Sequence, residues 1–315
     1  MREAAFVKRN KEKWQRLEQL VARRGTDITP DEASSLYIEL NDDLSYARTF
    51  YPGAQVTAYL NTLAAGMHRH IYRNQRTGLG RFITFWSTEL PLLMAATRKQ
   101  LAISAAVFLV AVIIGSLSAR YDTTFTRLIM GDGYVNMTLE NIKEGKPMAV
   151  YGSSPMMDMF FGITFNNIMV SFYAFAMGLL LSYGTWLILV QNGIMLGAFQ
   201  YFMYDQGVLT ESLRGIWLHG TIEISCIVIA GSAGIVMGNS ILFPGTYTRL
   251  ASFRRGALQG VKIVMGLVPC FIVAGFIESF ITRHSGAMHP VLNTAIIGGS
   301  LVFIVGYFII YPYHV

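Results

Sequence analysis

Charge is what this sequence of 315 residues has least of: 14% of its side chains are Asp, Glu, Lys or Arg, against about 25% in a soluble globular domain. An apolar share of 53% excludes a disordered chain as well, because disordered segments are poor in apolar residues. Only two cysteines occur, Cys226 and Cys270, so there is no disulfide framework. Nucleotide chemistry is not written in the chain: it has no G-x-x-x-x-G-K-S/T, and its glycines lie within apolar runs instead of at a strand-to-helix turn. The G-x-S-x-G elbow is absent, and thiols in apolar surroundings are poor thiolates, so no serine or cysteine nucleophile is indicated. A net charge of +6 reads in so apolar a chain first as a membrane-topology signal, and no nucleic-acid partner is expected.

The charges present are unevenly placed. Of 25 Lys and Arg, 15 precede residue 100, as do 10 of the 19 Asp and Glu. The rest of the chain is an apolar body with charge-free runs at 100–119, 159–204, 215–222, 224–248, 263–277 and 284–315. A helix needs about 20 apolar residues to cross roughly 30 Å of hydrocarbon, so the run at 159–204 holds two spans. The expectation is an all-α polytopic membrane protein with six spans, near 101–118, 162–182, 185–204, 215–242, 262–282 and 291–312. The N-terminus has no apolar h-region, which makes the first span an uncleaved anchor. Arg98 and Lys99, with Arg249, Arg254, Arg255 and Lys262, predict by the positive-inside rule that both termini are cytoplasmic.

Ahead of the spans, residues 1–80 are expected to form a cytoplasmic helical head. Val7, Trp14, Leu17 and Val21 share one face of a first helix stopped by Gly25. Thr29-Pro30-Asp31-Glu32 supplies a cap, an N1 proline and early acids for a second helix reaching about Phe50. A third should cover 54–74. Residues 81–99 mix Phe82, Phe85, Trp86, Leu90, Leu92 and Leu93 with terminal cations, the pattern of an interfacial elbow helix; the alternative is a buried hairpin helix of the head. The transmembrane domain then covers 100–315.

Ionisable groups inside a membrane are costly unless paired or wet, so the in-span polar residues matter most. His219, Glu223 and Cys226 fall on one stripe of the fourth span, and past Glu211 the only other carboxylate is Glu278 in the fifth. With cytoplasmic termini, His219, Glu223, Glu278, Asn166 and Asn167 all come to the outer-leaflet level, and one contiguous polar site is expected. Without metal it would share protons among two acids and an imidazole; with metal both carboxylates would be ionised and His219 neutral. A His and two Glu can serve as a zinc ligand set, but the spacing is His-x-x-x-Glu with no second in-span histidine, so zinc is one reading beside a transport site and a structural cluster. His284 and His289, in the last loop, are candidates for missing ligands. Gly193 and Gly197, and Gly234 and Gly238, form small-xxx-small patterns that mark close helix approach, within the chain or in a homodimer. Asn192 beside Gly193 marks a locally broken or tightly packed turn.

Taken in order, Phe165-Asn166-Asn167, Asn192-Gly193, Trp217-Leu218-His219-Gly220 with Glu223, Phe243-Pro244-Gly245 and Ile277-Glu278 resemble the stage II sporulation protein M family, and Tyr46-Ala-Arg and Tyr59-Leu-Asn-Thr-Leu extend the likeness into the head. The resemblance implies an all-helical protein of the bacterial cytoplasmic membrane. In sporulating bacteria the family's namesake is a membrane scaffold acting with cell-wall hydrolases, and relatives occur in bacteria that form no spores. It offers no catalytic residues to carry over. The expected function is therefore a scaffold or accessory subunit of a cell-envelope machine with an envelope protein partner, more a non-enzyme than an enzyme; the alternatives are a transporter or channel-like protein using His219, Glu223 and Glu278, and an intramembrane metal-dependent hydrolase.

Overall fold

The computed structural model describes residues 2–22, 30–71, 79–152 and 155–315; Gly25, Thr29 and Gly78 lie outside them. Contacts divide the chain into two units, residues 1–81 and 82–315. Among the described residues every regular element is helical.

In the first unit α1 (Glu3–Ala22), α2 (Pro30–Phe50) and α3 (Gln55–Ile71) enclose a core of their own. Trp14 and Leu17 are buried in it with Leu40, Leu60 and Met67, and Val7 and Val21 pack against it. Phe6, which the sequence reading left out, is buried there too. Trp14 is anchored at its polar edge, its Nε1 donating to Asp43 Oδ2 at 2.8 Å.

The elbow is not one helix. It runs through α4 (Leu79–Thr84), a π-helical turn at Phe85–Glu89 and α5 (Leu90–Ala96), and breaks at Thr97. A π turn leaves carbonyls poorly paired, and here tyrosines of the last span fill in: Tyr307 donates to Trp86 O at 2.6 Å and Tyr311 to Ser87 O at 3.0 Å. Leu90 and Met94 are buried in the core of the second unit, and Glu89 pairs with Lys262 at 2.8 Å. From Phe82 onward the segment therefore belongs to the membrane unit, not to a hairpin of the head.

Among the described residues six helices are long and apolar enough to cross a membrane. They are α6 (Arg98–Tyr121), α9 (Met156–Ala176, continued by a 3-10 turn to Leu179), α10 (Tyr183–Asp205), α11 (Leu209–Leu242), α12 (Arg249–Phe276, continued by a π turn at Ile277–Ile281 and a 3-10 turn at Thr282–His284) and α13 (Pro290–Val305, continued to Tyr313). Between the first two spans lie two short helices, α7 (Phe125–Met130) and α8 (Asp132–Lys143), and a 3-10 turn at Ala149–Gly152. The chain is an all-α polytopic membrane protein.

Burial ranks the spans: 72% of the apolar window of α11 is inside the bundle, against 11% for α13, so α11 is the central post. Small residues set its distances, since backbones approach closely only where no Cβ intervenes. A Cβ on Gly193 would come within 2.8 Å of Phe108 O, and one on Gly197 would strike Val112 O, fixing α10 on α6. On Gly234 and Gly238 it would strike Thr185 and Ser182, fixing α11 on the α9–α10 hairpin. That hairpin turns so tightly that Leu181 and Ser182 take left-handed φ values of 54° and 68°, a conformation that disfavours side chains; Ser182 is held by N–H donation to Gly178 O at 3.0 Å.

Candidate functional site

The fourth and fifth spans run antiparallel, and their facing residues pair in order. Cys226 and Cys270, both buried, face each other across α11 and α12. Farther along come Glu223 and Glu278, then His219 and Thr282. Glu278 sits in the π turn Ile277–Ile281, a feature that recurs at functional sites. Ligand-capable atoms of His219, Glu223 and Glu278 all lie within 4.8 Å of one another. His219 Nε2 is 3.7 Å from Glu278 Oε1, with only 5% and 12% of the two side chains exposed.

Each member is held by a neighbour. Asn167, from α9, donates from Nδ2 to Glu223 Oε1 at 2.6 Å. His219 Nδ1 is 3.0 Å from Thr282 Oγ1, and the Thr282 hydroxyl itself donates to Ile277 O at 3.2 Å. With the hydroxyl proton committed, Thr282 receives the Nδ1 proton, and the ring presents the Nε2 lone pair to Glu278. Above the imidazole stands Tyr151, its ring edge-on at 5.4 Å. Burial, then the nearby Glu278 and Tyr134, push the Tyr151 hydroxyl well above its ordinary value of 10, so it stays a hydrogen-bond donor.

Glu223 also forms part of the wall of a cavity of about 470 Å³. Phe108, Met195, Phe199, Ile216, Ile224 and Ile227 make its apolar lining, and Asn166, Asn167, Asn192, Tyr134 and Tyr151 its polar one. A smaller recess of about 310 Å³ shares Val170, Asn192 and Met195 with it and adds Gln191. A separate cavity of about 560 Å³, bounded by Trp86, Ile222, Pro269 and Phe308, involves neither carboxylate.

The candidates of the sequence reading thus fall in different places. His219, Glu223, Glu278 and Asn167 come together. Asn166 and Asn192 line the cavity without entering the cluster, and Asn192 donates within its own unbroken helix to Ile188 O at 2.8 Å. His284 and His289 stay apart from it; His289 Nδ1 instead accepts from Val291 N at the start of α13. Cys226 pairs with Cys270. The spacing argument assigned no helix to the segment between the first two spans, which α7 and α8 cap, although Val135, Leu139 and Ile142 recur at helical intervals between Asp132 and Lys143 and pack with Phe199, Phe202 and Met203. Thr282 and Tyr151 were missed as partners of His219, since nothing local to either marks it.

A family model described as stage II sporulation protein M matches residues 104–283, more than half of the chain and all of the cluster. A second model, a domain of unknown function (DUF8413), matches residues 4–73 in the head. No curated protein and no solved structure matches. The chain is a multi-pass membrane protein and belongs to the stage II sporulation protein M family.

Proposed function

We propose that this protein is a membrane-embedded accessory subunit of a bacterial cell-envelope machine, and that its working part binds the polar end of an amphipathic molecule at Glu223. Family membership supports the first half. The second rests on one observation: Glu223 belongs at once to the buried polar cluster and to the wall of the 470 Å³ cavity. Binding sites are mostly apolar concavities with a few convergent polar groups, and an ionisable residue in a span is functional by default. Exposed Asn166 and Met195 line the cavity on α9 and α10, so a lipid-like molecule would enter sideways.

The test is photo-crosslinking from benzoylphenylalanine placed at Met195 in membranes, with mass spectrometry of the adducts. A discrete lipid-sized adduct is expected, falling several-fold in Glu223→Gln, while the same probe at Val302, 72% exposed on α13, should report bulk lipid and ignore Glu223. Identical adducts at both positions, unaffected by Glu223→Gln, overturn the binding reading. A transport role draws on the polar track that continues from Asn166 through Asn192 to Gln191. Movement of the identified lipid between leaflets of proteoliposomes separates transport from binding alone.

A further inference from the structure

The hydrogen bonds that hold the cluster in place lie at its rim. Three donors act from the periphery: Asn167 to the near oxygen of Glu223, the His219 Nδ1 proton to Thr282, the Thr282 hydroxyl to the π-turn carbonyl of Ile277. At the centre stand the lone pair of His219 Nε2 and the carboxyl groups of Glu278 and Glu223, which are within hydrogen-bond reach of each other. His219 Nε2 and Glu278 Oε1 are 3.7 Å apart, beyond a direct hydrogen bond. Two carboxyl groups and an imidazole lone pair that converge in an apolar bundle need either a shared proton or a cation between them.

Size and charge select the occupant. Three atoms no more than 4.8 Å apart lie within about 2.8 Å of a common centre, and drawing them in to the ~2.0–2.2 Å of nitrogen and oxygen ligands on zinc takes under about 1 Å of side-chain movement. Two carboxylates and one neutral imidazole balance a divalent cation with no residual charge, the least costly state within hydrocarbon. The outer contacts match as well, because a ligating histidine normally bonds through its second ring nitrogen and ligating carboxylates are themselves hydrogen-bonded. Thr282 and Asn167 occupy those two places.

We propose that His219, Glu223 and Glu278 form a divalent transition-metal site, of the zinc type, whose open coordination position faces the cavity wall at Glu223. The inference deepens the proposed binding role of Glu223 and rests on it, since the metal would sit where the polar end of the cavity ligand arrives. Three protein ligands and an open position are the pattern of sites that exchange a fourth ligand, whereas structural zinc is closed by four protein side chains.

The experiment uses the full chain, purified in detergent with a tag that does not chelate. Zinc is counted by elemental mass spectrometry, and after stripping with a chelator Co²⁺ is titrated in while its visible d–d absorption is followed. About one equivalent per chain is expected, with Glu278→Gln and His219→Gln each weakening Co²⁺ binding at least about 100-fold and Val302→Ala, on the exposed face of α13, leaving it intact. Glu278 lies off the cavity wall, so a Met195 crosslink that weakens in Glu278→Gln is the expected sign that the metal holds the ligand's polar end. A wild-type protein that holds no stoichiometric zinc and shows no saturable Co²⁺ band overturns the proposal even if the variants fail to fold. Full binding by a folded His219→Gln, Glu278→Gln double variant overturns it too. Loss of the metal result with the lipid adduct intact removes only the metal, and the reverse removes only the binding reading.

Discussion

At the scale of single residues, a buried polar atom matters through what happens when its partner is removed. The hydroxyl of Thr282, fully buried, receives His219 and donates to Ile277. Valine has nearly the same shape and neither bond. Thr282→Val is expected to destabilise the protein by about 1–3 kcal/mol, because the His219 Nδ1 proton is then buried without an acceptor. Thr282→Ser, which keeps the hydroxyl, should lose less than half of that. Thermal unfolding in detergent, followed by circular dichroism, checks the pair; equal melting for Val and Ser rejects the contact as a stabilising one. The sequence alone made His219 and Glu223 conspicuous, since charge in a span is rare. Thr282 was invisible in the same scan, because a threonine in a membrane helix is ordinary until its neighbour is known.

Among elements, the bundle is set by where backbones touch. Gly197 leaves no room for a Cβ against Val112 O on α6, whereas Gly298, in the interior of α13, has nothing within 4 Å of the place a Cβ would take. Gly197→Ala is therefore expected to cost about 1–3 kcal/mol through overpacking. Gly298→Ala should be neutral or stabilise by up to about 1 kcal/mol, the helix propensity of alanine over glycine. Opposite shifts in unfolding temperature would bear out the difference; a destabilised Gly298→Ala would mean that this face of α13 is covered. The small-xxx-small pattern marked Gly197 in the sequence, while the double glycine at 298–299 is just as small and sits in a span too. Only the packing separates them, because sequence spacing tells which residues share a face and not which face meets a neighbour.

For the molecule as a whole, the direction of the spans carries the largest consequence. Basic residues are densest at one end of the membrane unit, with Arg98, Lys99, Arg249, Arg254, Arg255 and Lys262 and few acids, while the longer segments at the other end, the cap of α7 and α8 among them, spread Arg120, Arg127, Lys143, Lys146, Arg214 and Arg283 among Asp122, Asp132, Glu140, Glu144, Asp158, Asp205 and Glu211. By the positive-inside rule the cap, and with it the polar cluster, should face the exterior. A cysteine at Glu144 is expected to react with a membrane-impermeant thiol reagent on whole cells, and one at Arg254 only after the membrane is opened. The wild-type cysteines need no removal, because Cys226 and Cys270 are 0% and 6% exposed. Labelling at 254 in intact cells with none at 144 would invert the orientation, and the entry side of the cavity with it.

The six spans were legible in the residues alone, because crossing hydrocarbon demands a long run of apolar side chains and that demand is met locally, residue after residue. The elbow's break at Thr97 and its π turn were not, since they depend on Tyr307 and Tyr311, more than 200 residues away. The same division runs through the polar site. That His219, Glu223 and Glu278 are anomalous is a property of the sequence; that Asn167 and not Asn166 binds Glu223, that Glu278 is carried on a π turn, and that Tyr151 stands over His219 are properties of the tertiary structure. The rotation of each helix about its axis, which selects one of two adjacent asparagines, is set by contacts between distant segments and by glycines that fix how closely they approach.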